Sequence, residues 1–371
     1  MMSTYLVTGA TGMLGRELVP LLLRDTDADL RLLVHREGRA LSATRLLHRY
    51  GVGDVSSRRR VRLVPGDMTM RDLGISGPDR RALAKSVTGI LHAAAATRFD
   101  LPLATAWRAN VRGTENVLRF ARGCDALDRI ALVSTVYVSG RRRGRILETE
   151  REHAAGFVNT YERTKYEAEG VALAAGLPVS VYRLSTLLGS AEDGATARVA
   201  MPHLAMRLIY LGLAPIVPGE PSCPVDLLPT DVAAETIARL FAHRFAAGQV
   251  FHVVAGEAKS FTLAQIIDAT WEALAAAEPD WRRRARPRPV ICDEAAFAEA
   301  LRAARLTRNT VLLRAFDAIA TFCGQFSLPK TFDARCLAVA LPDHFARVPH
   351  PSAYFEKVVR YCVRERWGRV A

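Results

Sequence analysis

The chain has 371 residues, half of them hydrophobic, and a formal net charge of +13 at pH 7. That length accommodates one large domain, or a domain with a smaller companion, and the apolar content is sufficient for a full core. The six cysteines form no Cys-x-x-Cys pair and no zinc-type spacing with histidine, which excludes zinc-finger and disulfide-framework proteins and predicts no metal site. The arginine clusters lack interleaved aromatic residues, so we expect acidic partners rather than nucleic acid.

The start of the chain and its apolar segments predict where the protein resides. The first predicted strand begins almost at Met1, which leaves no room for a cleavable signal or transit peptide. No stretch of about 18 uncharged apolar residues occurs, so we expect no transmembrane segment. Scattered cysteines fit a reducing compartment, and the sequence predicts a cytoplasmic protein.

A glycine-spaced turn between a strand and a helix organises the N-terminal part of the chain. Tyr5–Thr8 is predicted to be a short strand, and an apolar-periodic helix follows from Arg16 to Leu23. In the spacing Thr-Gly-x-x-Gly-x-x-Gly, the first glycine permits a tight turn, the second lets the backbone approach phosphates, and the third allows the helix to pack on the strand. A helix N-terminus also offers free N–H groups to an anion. The segment predicts a dinucleotide site formed by Thr8, Gly9, Thr11, Gly12, Met13, Leu14 and Gly15.

Strands and helices alternate beyond this turn, which predicts an α/β fold of the Rossmann type with a doubly wound parallel sheet. A helix is predicted from Leu103 to Cys124. We expect residues 1–185 and 222–255 to form the nucleotide-binding domain, and residues 186–221 and 256–371 to form a smaller, mainly helical substrate-binding region. The further predicted strands are Leu30–Val34, Val61–Pro65, Gly89–Ala96, Arg129–Val133, Val179–Arg183 and Val250–Val254.

Residues at the ends of three predicted strands indicate the cofactor. An acidic residue after the second strand would bind the ribose 2′-hydroxyl of NAD, whereas Arg36 suits the 2′-phosphate of NADP. The alternative for this position is an ordinary exposed arginine. Asp67, after the third strand, is placed to accept a hydrogen bond from the adenine amino group, with Met68 beside it. Small side chains after the fourth strand would let the cofactor lie against bare backbone at Ala93, Ala94 and Ala95.

Hydroxyl, phenol and ammonium groups are predicted to meet at the end of the fifth strand. That strand is followed by Ser134 and Thr135, and a helix opens with Tyr161 four residues before Lys165, so both lie on one helix face. The ammonium would stabilise a phenolate and lower the tyrosine pKa from its usual value of about 10 toward working pH. A nearby hydroxyl would hold a substrate carbonyl oxygen while Tyr161 gives or takes the proton.

These motifs together resemble the extended short-chain dehydrogenase/reductase superfamily, and most closely its fatty-acyl reductase and thioester-reductase branch, with a male-sterility-like NAD(P)-binding domain. They cover roughly the first half of the chain. The segments that carry the resemblance are Thr8–Gly15, Gly66–Thr69, Asp72–Gly74, Leu91–Ala95, Asn110–Leu118, Val133–Val138, Tyr161–Lys165 and Glu167–Glu169.

The resemblance implies a catalytic set of Thr135, Tyr161 and Lys165, with the active hydroxyl on Thr135 rather than Ser134. It also implies that Asn110 supports the lysine through structure or water, and that Lys165 holds the nicotinamide-ribose hydroxyls. Because short-chain reductases often pair through helices, a homodimer is a further expectation. The segment that borders the nicotinamide in this superfamily is matched by Leu184, Ser185 and Thr186.

The C-terminal third departs from the thioester reductases, and its pattern is mainly helical. Helices are predicted at Ala200–Leu213, Val311–Phe322 and Tyr354–Trp367. Arg314 and Asp317 within the second of these favour a packed amphipathic helix over a membrane insert. An apolar acyl chain would suit the first helix, although its residues suit a core equally well.

We interpret the chain as an NADP(H)-dependent reductase that transfers hydride to the carbonyl of an acyl thioester, on coenzyme A or an acidic carrier protein, to give an aldehyde or alcohol. One alternative is a ketone or aldehyde reductase, or secondary-alcohol dehydrogenase, of the same fold; nucleotide-sugar epimerases and dehydratases share the triad. Another is a redox-inactive NADP-binding sensor. The basic loop Arg141–Arg145 follows the catalytic strand, and we expect it near the active-site mouth, where it would attract the anionic carrier.

Overall fold

Strands and helices alternate along the N-terminal half of the chain, and helices dominate the C-terminal third. The computed structural model describes residues 3–35, 43–284, 288–307 and 309–368. Within these ranges the strands are β1 (Thr4–Thr8), β2 (Asp29–Val34), β3 (Val61–Pro65), β4 (Gly89–His92), β5 (Arg129–Thr135), β6 (Gly144–Ile146), β7 (Val179–Leu184), β8 (Thr186–Leu187), β9 (Ile216–Pro218), β10 (Pro224–Val225), β11 (Leu227–Leu228), β12 (Val250–Val253), β13 (Phe261–Thr262), β14 (Val290–Cys292) and β15 (Lys330–Phe332). The helices of the same ranges are α1 (Met13–Asp25), α2 (Ala43–Arg49), α3 (Val55–Arg59), α4 (Gly77–Ser86), α5 (Leu103–Trp107), α6 (Gly113–Ala121), α7 (Thr160–Leu173), α8 (Met201–Tyr210), α9 (Thr230–His243), α10 (Leu263–Ala277), α11 (Glu294–Leu306), α12 (Thr310–Cys323), α13 (Arg335–Ala340), α14 (His344–Arg347) and α15 (Phe355–Arg364).

Seven of the strands form one parallel sheet in the order β12-β7-β5-β4-β1-β2-β3. Thr8 at the end of β1 lies opposite Leu33 of β2 and His92 of β4, so these strands finish at the same edge. The order reverses between β1 and β4, and a doubly wound sheet opens a crevice for a ligand at the carboxyl ends of its strands beside such a reversal. The predicted Rossmann-type fold is confirmed.

Alternation along β1 places successive side chains in different cores. Tyr5 and Val7 pack with Leu18 of α1 and Phe241 of α9 on one face of the sheet. Leu6 belongs to the core on the other face, which includes residues of α4 and α6. A strand buried on both faces is expected to be continuously apolar, as this one is.

A separate, mainly helical core is built from the C-terminal part of the chain with α8. It is centred on the fully buried Trp281, whose indole nitrogen donates to the Tyr210 carbonyl at 2.8 Å. Phe316 and Ile319 of α12 are buried in this core, which confirms the packed amphipathic helix predicted there. Among the described residues, none of the helices combines the length and apolar character needed to cross a membrane.

Several elements differ from their predicted extents, and two of these differences concern the edge of the sheet where the site lies. The fourth strand ends at His92 rather than Ala96, because the backbone beyond it leaves the sheet and bonds to other segments: the Ala94 N–H donates to the Thr8 hydroxyl at 3.1 Å. The helix predicted from Leu103 to Cys124 is interrupted by a π-helical turn at Arg108–Arg112. Both departures lie at the carboxyl edge of the sheet.

Candidate active site

The turn after β1 packs directly against the loop after β4. Gly9 has a φ of +76°, and a Cβ there would lie 2.7 Å from the backbone of Ala93 and Ala94. A Cβ on Gly15 would lie 2.2 Å from the Gly9 carbonyl oxygen, so α1 begins in contact with the turn. The first residues of α1 line the crevice at the sheet edge, which is the geometry in which a helix N-terminus binds phosphate.

A chain of hydrogen bonds joins this turn to the helix that carries Asn110. The Ala94 N–H donates to Thr8 Oγ1, and that hydroxyl lies 2.7 Å from His92 Nδ1. On the other side of the ring, His92 Nε2 lies 3.1 Å from Thr114 Oγ1, which donates to the Asn110 carbonyl at 2.7 Å. Because the Thr114 proton is committed to that carbonyl, His92 donates from Nε2 and accepts from Thr8 at Nδ1. Burial lowers the pKa of His92 to about 3, which keeps the ring neutral.

Asn110 lies in the π-helical turn and is buried. Its side chain accepts from the Ala96 N–H at 2.8 Å and donates to the Ala96 carbonyl at 3.1 Å and to Thr164 Oγ1 at 3.0 Å. Both amide protons are thereby engaged. Asn110 therefore holds the loop after β4 against α7 and reaches the neighbourhood of Lys165 through Thr164. Local π-helical turns of this kind are frequent at functional sites.

Thr135, Tyr161 and Lys165 meet at the carboxyl end of β5. Thr135 is the last residue of β5, whereas Tyr161 and Lys165 lie in the first two turns of α7. The Thr135 hydroxyl lies close enough to the Tyr161 phenol to lower the pKa of that phenol, and Lys165 Nζ donates to the Val133 carbonyl at 2.8 Å. All three side chains line one cavity. The arrangement can place a proton donor and a second hydroxyl on the same substrate oxygen.

The phenol of Tyr161 is held in its protonated form. Burial raises its pKa above the usual value of 10, and the hydrogen bond with Thr135 offsets this shift only in part. The expectation that Lys165 lowers this pKa toward neutral pH is wrong, because burial dominates and the ammonium is directed to the Val133 carbonyl. Burial also lowers the pKa of Lys165 to about 8. The cavity is therefore lined by a protonated phenol at Tyr161.

Two side chains beside this trio were not assigned to it from the sequence. Phe99, in the loop between β4 and α5, stacks on Tyr161 with ring centroids 5.4 Å apart. A single aromatic residue in a loop carries no pattern that would have revealed this contact. Ser134 lines the cavity, and its buried Oγ has no hydrogen-bond partner among the described residues. A buried unpartnered hydroxyl is costly, so this one is available to a ligand.

The opposite end of the cavity is formed by the loop after β3. Asp67 accepts from the Thr69 N–H at 2.8 Å and lies 3.4 Å from His35 Nε2. Burial alone would raise the pKa of Asp67, but the hydrogen bonds from Thr69 and the neighbouring His35 lower it overall. Asn116 of α6 donates to the Met68 carbonyl at 2.9 Å, which fixes this loop at the sheet edge.

The segment after β7 lies next to the end of β5. Leu184 is opposite Thr135 in the sheet register, and the Ser185 N–H donates to the Val253 carbonyl at 3.2 Å. The Thr186 hydroxyl lies 2.9 Å from the phenol oxygen of Tyr137. This segment therefore walls the cavity beside Tyr161.

A single cavity of about 1030 Å³ connects these groups. It is lined by every predicted site residue that the structure describes except Asn110, which lies behind the wall. Arg36, on which the preference for NADP was based, lies outside the described residues. The cavity continues beyond Tyr161 to Met201, Pro202 and Leu204 of α8, in the helix that sequence reasoning offered to an acyl chain, and to Ala318 and Thr321 of α12, which it did not assign to a site.

The basic loop Arg141–Arg145 is not among the residues that line this cavity, contrary to its predicted place at the mouth. The reason is a pairing across the chain: β6 runs parallel to β15, which draws the loop onto the C-terminal region. Arg143 pairs with Glu220 at 3.0 Å and Arg145 with Asp333 at 2.6 Å. The guanidinium groups that do line the cavity belong to Arg98, Arg108 and Arg198.

A buried polar cluster fixes the start of α7 immediately beside Tyr161. The carboxylate of Glu162 accepts from the Val158 N–H at 3.0 Å, from Asn159 Nδ2 at 2.9 Å and from Gln325 Nε2 at 2.8 Å. The nearby charge of Lys330 lowers the pKa of Glu162, but burial outweighs it and raises that pKa overall. The C-terminal region thus contacts the helix that carries the catalytic candidates.

These residues fit a nicotinamide dinucleotide. Gly9 and Gly15 let the turn, the loop after β4 and α1 pack closely, and the open N-terminus of α1 suits the pyrophosphate. Next to Thr135, the unpartnered hydroxyl of Ser134 is a further polar group that a ligand in the cavity can bind. Among the described residues, no group of three or more histidine, cysteine or carboxylate side chains is arranged to hold a metal ion.

The chain belongs to the male sterility protein family of NAD-binding domains, which it matches over residues 7–237. It is 32% identical over 261 residues to a linear gramicidin synthase of Brevibacillus parabrevis, a match that covers 67% of this chain and 5% of the synthase. It is 24% identical over 270 residues to the fatty acyl-CoA reductase wat of Drosophila melanogaster, covering 62% of this chain and 52% of that protein. The chain therefore spans at most about half the length of these relatives.

Solved structures give the same fold. The terminal R domain from the myxalamid PKS-NRPS biosynthetic pathway superposes with a TM-score of 0.80 at 22% identity, covering 99% of this chain and 92% of that one. A thiolation-reductase di-domain from an archaeal non-ribosomal peptide synthetase gives a TM-score of 0.73 at 18% identity. That match covers 100% of this chain and 77% of the di-domain. The family and the fold together define the protein as an NAD(P)-dependent reductase of the extended short-chain dehydrogenase/reductase type, in the thioester-reductase branch.

Proposed function

We propose that this protein uses NADPH to reduce the carbonyl of an acyl thioester, releasing an aldehyde that the same site can reduce to the alcohol. The observation that carries the proposal is the meeting of the Thr135 hydroxyl, the Tyr161 phenol and Lys165 in a cavity of about 1030 Å³ that continues to α8 and α12. That volume is at the upper end for a ligand pocket, and it accommodates an acyl chain beyond the dinucleotide.

The glycine turn from Gly9 to Gly15 would hold the pyrophosphate, Lys165 the nicotinamide ribose, and Leu184–Thr186 would border the nicotinamide. NADPH is proposed over NADH because His35 and Arg36 follow β2 where an NAD enzyme would carry a carboxylate. The substitution Arg36→Asp is accordingly expected to shift the preference toward NADH. When bound, the cofactor supplies the hydride to the carbonyl carbon.

In the proposed reaction, Tyr161 protonates the carbonyl oxygen while Thr135 donates a hydrogen bond to it as negative charge develops. The Lys165 ammonium adds positive charge at the same end of the cavity. The product of this step is a hemithioacetal. Return of the hydroxyl proton to Tyr161 as the C–S bond breaks gives the aldehyde and a thiolate, which takes a proton from water.

The acyl chain is assigned to the region formed by residues 186–221 and 256–371. Met201 and Leu204 of α8 and Ala318 of α12 supply apolar wall to the cavity beyond Tyr161. The name of the fatty acyl-CoA reductase relative and the R-domain structure support a thioester as the substrate class.

The test follows NADPH consumption with a series of acyl-coenzyme A and acyl-pantetheine thioesters, alongside the matched free aldehydes and ketones. Tyr161→Phe is the control, since it keeps the ring on Phe99 and removes only the hydroxyl. Thioester turnover that this variant loses supports the proposal. Turnover of ketones alone, with no thioester consumed, would show a carbonyl reductase of another substrate class.

A further inference from the structure

The helical segment α5–α6 presents a basic face to solvent. Arg112, Arg119 and Arg122 are exposed and recur at spacings that place them on one side of α6. Together with Glu115 they border a groove of about 320 Å³ whose floor includes Val171 of α7. From Arg112 to Arg122 the helix rises about 15 Å, which matches the length of one short partner helix.

The charge on this face is only partly neutralised within the chain. Arg112 pairs with Glu115 at 2.8 Å. Arg119 donates to the amide oxygen of Asn116 at 2.8 Å, and Arg122 donates to a backbone carbonyl at 3.2 Å. Both of these hydrogen bonds leave the guanidinium charge in place. The groove therefore carries a net positive charge, which favours an acidic partner.

The basic face continues along the helix to a residue that lines the cavity. Arg108, one helical turn before Arg112, is exposed and lines the cavity itself. Trp107, immediately before Arg108, is 38% exposed, and Leu103, one turn before Trp107, is 37% exposed, so the two side chains add an apolar edge to the same segment. Aromatic and arginine side chains of this kind are enriched at protein interfaces.

A second copy of this chain is a poor occupant for the face, since two-fold pairing would bring Arg119 and Arg122 toward their own counterparts. We propose instead that the face docks an acidic carrier protein, whose thioester arm enters the cavity past Arg108. This inference rests on the proposed function, because it names the carrier of the thioester that the site reduces.

The test compares three decanoyl thioesters in the wild-type chain and in two charge-reversal variants. The substrates are decanoyl-pantetheine, decanoyl-coenzyme A and decanoyl loaded on a purified acidic acyl carrier protein. The docking variant is Arg119→Glu with Arg122→Glu. The control is Arg302→Glu with Arg305→Glu, which reverses an equally spaced, exposed pair at the end of α11.

We expect the docking variant to lose at least about tenfold in kcat/KM on the carrier-protein substrate at low salt, with the difference shrinking as salt is added. Its activity on decanoyl-pantetheine should match wild type, and the control should match wild type on all three substrates. The proposal that this face docks the carrier would be overturned if the docking variant and wild type had equal kcat/KM on the carrier-protein substrate. It would also be overturned if the docking variant lost as much kcat/KM on decanoyl-coenzyme A as on the carrier-protein substrate. Absence of wild-type turnover on every thioester would instead overturn the proposed function.

Discussion

Phe99 stacks on Tyr161 with ring centroids 5.4 Å apart and ring planes inclined by 22°. The Tyr161 side chain therefore lies between this ring and the Thr135 hydroxyl at the end of β5. The contact joins the loop after β4 to the first turn of α7. It places an aromatic wall beside the proton donor and limits the positions that the hydroxyl can take.

Replacing Phe99 should therefore affect catalysis more than cofactor binding. Aromatic pairs contribute about 0.5–1.5 kcal/mol beyond burial, so Phe99→Ala is expected to lower kcat about three- to tenfold through loss of Tyr161 alignment. Steady-state kinetics with NADPH titration measures this, and Phe99→Tyr serves as the control that keeps the stack. A raised KM for NADPH with unchanged kcat would show that Phe99 does not position Tyr161.

The pH dependence of reduction should report Lys165. Its pKa is lowered to about 8, whereas the raised pKa of Tyr161 keeps the phenol protonated above pH 10. We expect kcat/KM to be level below pH 7 and to fall as the ammonium is lost through pH 8. A fall that begins only near pH 10 would show that the pKa of Lys165 is not lowered from its ordinary value of 10.5.

The same shift has an opposite effect on stability. Between pH 8 and 10.5 the unfolded chain keeps the Lys165 proton that the folded chain has released, so this group makes the free energy of unfolding increase with pH in that window. Urea unfolding of wild type against Lys165→Met at pH 8 and pH 10 isolates the contribution. If wild type and Lys165→Met differed in free energy of unfolding by the same amount at pH 8 and at pH 10, the lowered pKa of Lys165 would be contradicted.

Gly12 and Gly15 of the first turn should respond differently to alanine. A Cβ on Gly15 meets backbone at 2.2 Å, so Gly15→Ala is expected to cost about 3 kcal/mol of stability or to prevent folding. A Cβ on Gly12 lies 3.2 Å from the Gly9 carbonyl oxygen, and its φ of −78° suits alanine. Gly12→Ala should stay within about 1 kcal/mol of wild type in stability.

The proposed pyrophosphate contact at Gly12 predicts a separate loss of cofactor affinity. Gly12→Ala should weaken NADPH binding by at least about tenfold, because the added methyl group occupies the place where backbone and phosphate approach. Fluorescence titration of NADPH measures this, with circular dichroism to verify the fold. Wild-type affinity in a folded Gly12→Ala protein would show that phosphate binds elsewhere.

The buried cluster at the start of α7 should be sensitive to the charge of Glu162. Glu162→Gln replaces one accepting oxygen with a donor facing the Val158 N–H and leaves Lys330 without its countercharge, so we expect a loss of about 2–4 kcal/mol in urea unfolding. Adding Lys330→Met should recover part of that loss. Additive effects of the two substitutions would show that these charges do not interact.

Sequence reasoning located the features that depend on local pattern. The third strand, Val61–Pro65, was predicted with its observed bounds, and β1 and β2 were one residue longer than predicted. The glycine turn and the helix spacing of Tyr161 and Lys165 were likewise recognisable, because each follows from the geometry of one element.

Features that depend on contacts between distant segments were not predictable. His92 contacts Thr8 and Thr114, and Glu162 contacts Gln325, but no periodicity in the sequence links these positions. The loop Arg141–Arg145 was misplaced for the same reason, since its pairing with β15 is long-range. The pKa of Tyr161 was misjudged because burial, which sequence does not quantify, raises it, and the charges of Glu162 and Glu169 add to the rise.

The most direct test of the proposed activity is the fate of the transferred hydrogen. NADPH carrying deuterium at the reactive C4 position would be incubated with decanoyl-pantetheine and the enzyme, and the product would be analysed by mass spectrometry. We predict deuterium at C1 of decanal or decanol, with free pantetheine released in step and no incorporation in Tyr161→Phe. Pantetheine release with no deuterium in the product, or no release at all while NADPH binds, would contradict thioester reduction.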